Sequence, residues 1–351
     1  MAEKAIRLGG ESTADAIVSA VDAMYTEHTF AEKDFALKHN EDEISVDTNF
    51  AAQNFWKEAL IRFFDKKSAV LGLVLIVVIV LLAVLGPGMN SYTYSGQDLS
   101  QKNFAPRVPG IEQFGILDGS EKMSTTTGTK VTNDLYGRDI WTRTWEGARV
   151  SLIIAVAAAI IDMVIGMSYG LISGYFGGRV DMVMQRFLEV ANGIPRLVIV
   201  TLLLLVLQPG MVTIIFALML TEWVGMSRIA RAEMLKLKDQ EFVLASRTLG
   251  AGSFFIIFKE VLPNIIGPII TQVMFSIPTA IFTEAFLSFV GLGIPVPQCS
   301  LGSLISELYN SFTTHPYQII PPIVVMSLLM LSFNLVADGL REALDPKMKS
   351  M

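Results

Sequence analysis

Asp239-Gln240-Glu241-Phe242-Val243-Leu244-Ala245-Ser246-Arg247-Thr248-Leu249-Gly250-Ala251-Gly252, continuing through Ser253 to Val261-Leu262-Pro263-Asn264, is a polar stretch enclosed by two apolar runs. Its wording reads as helix, glycine break, helix. Asp239 is placed to cap a first amphipathic helix, and Gly250 and Gly252 allow the sharp turn that ends it. Pro263 suits the first turn of the apolar helix that follows. Such an elbow, held between two membrane spans, is a docking surface.

Outward from the elbow the chain is apolar. Of its 351 residues 52% are hydrophobic and 17% charged, and runs such as Ala69 to Leu85 and Ser151 to Met163 are nearly free of charge. Crossing about 30 Å of hydrocarbon at about 1.5 Å per residue takes about 20 residues. Six segments meet that length, at approximately 69 to 87, 150 to 175, 185 to 207, 211 to 228, 264 to 288 and 318 to 340. The expectation is an all-α polytopic membrane protein. Lys and Arg concentrate on the flanks that should face the cytoplasm. These are Lys57, Arg62, Lys66 and Lys67 before the first span, Arg179 and Arg186 between the second and third, and Arg228, Arg231, Lys236, Lys238, Arg247 and Lys259 around the elbow. Arg341, Lys347 and Lys349 follow the last span, whereas the loop from about 290 to 317 has neither Lys nor Arg. Both ends and the elbow are therefore expected inside.

The acidic first 50 residues, including Glu41-Asp42-Glu43, lack an apolar run and read as a solvated cytoplasmic extension without a signal peptide. Residues 88 to 133 turn to Gly, Ser, Thr, Asn, Tyr and Lys and read as an external loop or small subdomain. The expected organisation is an extension over 1–56, a first span with a basic flank over 57–87, the external insertion over 88–133, and a core over 134–346. Trp141 and Trp145, four residues apart, read as headgroup anchors at the start of the second span.

Chemistry-bearing groups are few. No Gly-x-x-x-x-Gly-Lys-Ser/Thr run occurs, so ATP is not bound by that route. His28, His39 and His315 have no companions at metal-ligand spacing, no catalytic set is expected, and the lone Cys299 reads as a small apolar filler. Ionisable groups at membrane depth are the functional candidates, because a charge in lipid is costly. Asp162, midway along the second span, Glu222 and Glu284 are pathway or helix-pairing candidates, Glu222 being placed for a hydrogen bond between helices and Glu284 to fix the turn that follows. Gly291, Gly293 and Pro295 break the fifth helix on its external side. Asp338, Arg341 and Asp345 have the spacing of surface ion pairs before Pro346 ends the last helix.

Four phrases carry a resemblance. They are the elbow; Gly137-Arg138-Asp139 with Gly147-Ala148-Arg149-Val150-Ser151-Leu152; Glu284-Ala285-Phe286-Leu287-Ser288-Phe289-Val290-Gly291-Leu292-Gly293-Ile294-Pro295 with Ser300-Leu301-Gly302; and Phe333-Asn334-Leu335-Val336-Ala337-Asp338-Gly339-Leu340-Arg341-Glu342-Ala343-Leu344-Asp345-Pro346. In this order, over about 133 to 346, the chain resembles the C-type inner-membrane permease subunit of bacterial ATP-binding-cassette importers for oligopeptides and dipeptides. In that resemblance Leu244-Ala245-Ser246 stands for the usual Glu-Ala-Ala, Gly250 for the glycine, Glu260 for an isoleucine, and Leu262-Pro263 for the closing pair.

The resemblance implies a type I importer permease with six helices and an ATPase-coupling loop over 239–262. Glu241, Ala245, Ser246, Arg247, Gly250, Leu262 and Pro263 would make the ATPase contact, with Phe254 and Phe255 bracing the elbow. It implies a second homologous permease, two ATPase subunits carrying ATP and Mg2+, an extracellular peptide-binding lipoprotein, and a multi-pass place in the bacterial cell membrane lipid. It implies no cofactor, no metal and no nucleic acid on this chain. The rival reading is a proton-coupled carrier acting alone through Asp162 and Glu222.

Overall fold

The computed structural model describes residues 55–89, 92–97 and 134–344. Residues 1–54 of the N-terminal extension, most of the insertion over 88–133, and Asp345, Pro346, Lys347 and Lys349 lie outside the described residues. Among the described residues the regular elements are helical. Helix α1 (Phe55–Asp65) leads into α2 (Lys67–Leu85), which is apolar on every side, as a helix touching both lipid and protein must be. Helix α3 (Ile140–Ile161) starts at Asp139, whose side chain accepts the Thr142 N–H at 2.8 Å. It passes through a π-helical turn at Asp162–Gly166 into α4 (Met167–Phe176).

The expected single span at 185 to 207 is broken. Helices α5 (Gly178–Gly193) and α6 (Arg196–Val206) meet at a 78° bend. Pro195 lacks an N–H and crowds the residue before it, and Ile194 accordingly takes an extended conformation. Helices α7 (Met211–Thr221) and α8 (Trp223–Leu237) follow, separated only by Glu222. After α9 (Glu241–Thr248), a helical run extends over Ser253–Leu292, kinked near its end at Gly291. It holds a π-helical segment at Ile256–Val261, then α10 (Leu262–Leu287), then a second π turn at Ser288–Leu292. Pro263 sits in the first turn of α10, as expected. Helix α11 (Leu301–Tyr309) opens with a reciprocal Ser300–Ser303 capping box, and α12 (Ile320–Leu344) closes the described chain.

Five of these runs are long and apolar enough to cross a membrane, and counting the bent α5–α6 pair as one span makes six. The architecture is all-α and polytopic. Its loops collect at two ends, one holding the elbow between α8 and α10 and the other, here the far end, holding α11. Close helix approach rests on small residues. A Cβ built on Gly170 of α4 would lie 2.2 Å from the Ser227 carbonyl oxygen of α8, and one on Gly339 of α12 would lie 2.3 Å from Ala69 Cβ of α2. Trp145 departs from its expected role. It is buried against Gly86 at the end of α2, so of the edge-to-face pair, with centroids 5.5 Å apart, only Trp141 is exposed to meet a headgroup layer.

Candidate functional site: the elbow and the polar nodes of the bundle

The elbow forms as its wording implies, with one change at its start. Gln240, not Asp239, is the residue before α9, and no side chain caps that helix. At its end Leu249 N–H bonds to Ala245 O at 3.0 Å and Gly250 N–H to Arg247 O at 3.1 Å, after which Gly250 takes φ +86°. A side chain there would be strained, which is the reason for glycine. Gly252 is extended and performs no such role.

One residue of α9 anchors it. Val243 is fully buried in a cluster with Ile256, Ile257 and Val261 from the run after the turn and with Met226, Ala230 and Met234 from α8. Arg247 places its guanidinium 5.7 Å from the Tyr175 ring centroid at the end of α4. The rest of α9 and the turn after it point outward or are half-buried. Glu241, Ala245, Arg247, Gly250 and Pro263 are exposed, Ser246 and Leu262 half-buried, and Leu249 is 88% exposed. Phe254 and Phe255 do not brace the elbow. Both are exposed, because the helical turn aims them away from the face that carries Ile256 and Ile257. Beside the elbow, α8, α10 and α12 enclose a cleft of about 850 Å³ that includes Lys236, Thr271, Gln272, Phe275 and Arg341.

The three intramembrane carboxylates take separate places. Asp162, at the π turn, accepts Ser276 Oγ–H of α10 at 2.5 Å, and its Oδ1 is buried without a partner among the described residues. Glu222, between α7 and α8, accepts an N–H of Arg196 at 2.7 Å. Thr283 Oγ1 approaches Glu222 at 3.4 Å, but its hydroxyl also reaches the Thr279 carbonyl at 2.8 Å, the better bond. Arg196 escaped the sequence reading because it sits in an otherwise apolar run; the signal was the Gly193-Ile194-Pro195 break just before it.

Glu284 is the centre of the far end. Its carboxylate accepts Ser300 Oγ–H at 2.6 Å, Ser288 Oγ–H at 2.8 Å and Ser151 Oγ–H at 3.1 Å. Ser151 Oγ in turn accepts the Leu301 N–H at 3.1 Å, so α3, α10 and the entry to α11 share one node. Glu284 thus ties the end of α10 to α3 and to the entry of α11. Gly291 bends the chain with φ +89°, while Gly293 lies so close to Ser288 that a Cβ would be 2.4 Å from its Oγ. Pro295 is exposed in the loop that follows.

In a second far-end network only Asp134 and Arg138 stand at a local spacing, four residues apart. Asp134 accepts from Arg138 Nε and Arg143 Nη1, each at 2.8 Å. Glu307 of α11 receives Arg143 Nη2 at 2.8 Å and also pairs with Arg138. Buried charges persist only when paired in this way. Cys299 lies beneath it, with Sγ 3.5 Å from the Arg143 carbonyl, and burial pushes its thiol pKa up. At the last helix the ion pair seen is Lys66–Glu342 at 2.6 Å, not Asp338–Arg341.

No cluster of His, Cys, Asp and Glu suited to a metal occurs among the described residues. The family model described as binding-protein-dependent transport system inner membrane component matches residues 166–350, and that described as the N-terminal TM domain of oligopeptide transport permease C matches residues 54–106. The oligopeptide transport system permease protein of Bacillus subtilis (strain 168) is 43% identical over 297 residues, covering 84% of this chain and 91% of that protein. The dipeptide transport system permease protein of the same organism is 41% identical over 297 residues, covering 84% and 87%. A solved inward-facing methionine ABC transporter covers 58% of this chain and 96% of its own, at 16% identity and TM-score 0.49. The matched residues 166–350 include the elbow and Glu284, and the chain belongs to the family of binding-protein-dependent transport system inner membrane components.

Proposed function

We propose that this chain is one of two permease subunits of an ATP-driven importer of oligopeptides or dipeptides in the bacterial cell membrane, with the elbow and both termini in the cytoplasm. The observation that carries this reading is the elbow. A short helix is held by one buried valine, turned by a left-handed glycine, and ends on an almost fully exposed leucine. An exposed apolar knob next to flexible polar groups is what a groove in a partner protein covers. The oligopeptide and dipeptide permeases named above supply the substrate class.

On this reading 134–346 is the permease core and 239–262 the coupling loop. The two ATPases carry ATP and Mg2+ and receive Glu241, Ala245, Ser246, Arg247, Gly250, Leu262 and Pro263. The far end meets an extracellular peptide-binding lipoprotein. Because Ser253–Leu292 is one helical run, movement of the elbow carries along it to Ser276, Thr283 and Glu284. ATP supplies the differential binding that such a change of state requires.

Leu249→Glu tests the reading, since the side chain touches nothing that the fold needs. The expected result is normal accumulation in the membrane, loss of the co-purifying ATPases and loss of ATP-driven peptide uptake. Uptake at the unaltered rate overturns the coupling assignment. Gradient-driven uptake by the purified chain alone replaces the importer with the carrier.

A further inference from the structure

The Arg196–Glu222 pair lies where a lipid-facing pair would not be tolerated. Glu222 is near the middle of the run Met211–Leu237. Eleven residues separate it from the far-end turn along α7, about 16 Å. Arg196 is the same number of residues from that turn along α6. An arginine at the first position of a helix is also disfavoured by the helix dipole, which explains its need for a carboxylate. Yet Arg196 is not enclosed. Its side chain is 52% exposed against 14% for Glu222, and the remaining N–H groups of its guanidinium have no acceptor among the described residues. A half-exposed guanidinium at mid-depth requires water or protein in front of it.

The surface beside it points to water. Gln272, Phe275, Thr279, Thr283 and Phe286 follow one another at three- and four-residue steps, so they share one face of α10. Each is exposed or half-buried. The face begins in the 850 Å³ cleft, whose lining includes Gln272 and Phe275, and reaches Glu222 at Thr283. A partly hydroxylated stripe that opens into a cleft at one end and meets an ion pair at mid-depth is the lining of an aqueous path, built around a discontinuous helix.

We propose that Arg196 and Glu222 form a charge-reading subsite of the peptide path, in which the free edge of the Arg196 guanidinium binds carboxylates of the passing peptide. This rests on the importer reading and names a specificity residue within it. Glu222 acts as the positioning residue, holding the guanidinium by one N–H and leaving the rest of the fork for the ligand.

The test is single-turnover uptake by the full complex in proteoliposomes with saturating binding protein, using Ala-Glu-Ala, Ala-Gln-Ala and Ala-Lys-Ala. The subsite favours the glutamate peptide over the lysine peptide by about threefold, the scale of a solvent-exposed charge contact. Arg196→Glu with Glu222→Arg keeps the ion pair and inverts the preference; Arg196→Gln with Glu222→Gln abolishes it.

A third variant, Arg196→Cys with Glu222→Gln, tests access directly. The native thiol, Cys299, is buried, so aqueous methanethiosulfonates report on position 196. A cationic reagent then restores the preference and an anionic one reverses it. A preference unchanged by exchange, or a thiol at 196 that aqueous reagent does not reach, overturns the subsite and leaves the pair a tie between helices. Uptake of the glutamine peptide reads the importer function itself, so failure of that reading shows as loss of uptake for all three peptides in the unaltered protein.

Discussion

The two ends of the bundle are finished in opposite ways. At the far end, Glu284 is saturated by three serine hydroxyls, and Asp134, Arg138, Arg143 and Glu307 neutralise one another, so polar groups are spent on holding α3, α10 and α11 in one arrangement. At the elbow α9 buries a single valine, while Leu244, Leu249 and Phe254 remain outside. The first end is stabilised from within the chain; the second is left for something else to cover. On the proposed reading the contrast separates a frame from a contact surface, and mutations at the two ends should be felt in different measurements.

The largest effect should come from Arg143→Met. It strands Asp134 and Glu307 without one of their cations, and removing one partner of a buried ion pair costs about 3–5 kcal/mol. Denaturation of the purified protein in mild detergent should show it as a large fall in midpoint. Glu284→Ala should follow, costing about 2–3 kcal/mol, since the hydroxyls of Ser151, Ser288 and Ser300 lose their shared acceptor in a buried place. Glu284→Gln retains an acceptor and should recover about half of that loss in the same assay. If the two substitutions are equally mild, the far end is not held by this carboxylate and the contrast between the ends fails.

At the elbow the effects on stability are smaller and those on activity larger. Gly250→Ala meets no neighbouring atom but must adopt φ +86°, at a cost of about 1–2 kcal/mol. That strain should loosen the turn, read as faster amide exchange over 248–252, with the denaturation midpoint of the bundle nearly unchanged. Leu249→Ser should be smallest of all for the fold, within about 0.5 kcal/mol. The same variant should still reduce ATPase co-purification, which sharpens the comparison: stability and coupling separate at one end and coincide at the other.

Much of this layout was legible in residue order. The apolar runs, the glycine turn, Pro263 at a helix start and the break after Glu284 are local features, written in periodicity and in the conformations that Gly and Pro allow. The errors share one cause. The third span was expected unbroken because hydropathy averages over the Gly193-Ile194-Pro195 step, and Asp239 was expected as a cap although α9 begins two residues later. Position alone suggests a bracing role for Phe254 and Phe255, but which face of a short helical turn is covered depends on its neighbours.

By itself the sequence determined that this chain crosses a membrane several times, that an elbow interrupts it, and that carboxylates are buried within it, because each of these follows from residues a few positions apart. Tertiary structure alone decided what those carboxylates meet. Arg196 finds Glu222 across 26 positions, Ser276 finds Asp162 across 114, Ser151 finds Glu284 across 133 and Arg143 finds Glu307 across 164. No spacing rule relates residues so far apart. Their pairing is set by which helices pack together, and that depends on glycines such as Gly170 and Gly339, whose missing side chains let neighbouring backbones approach.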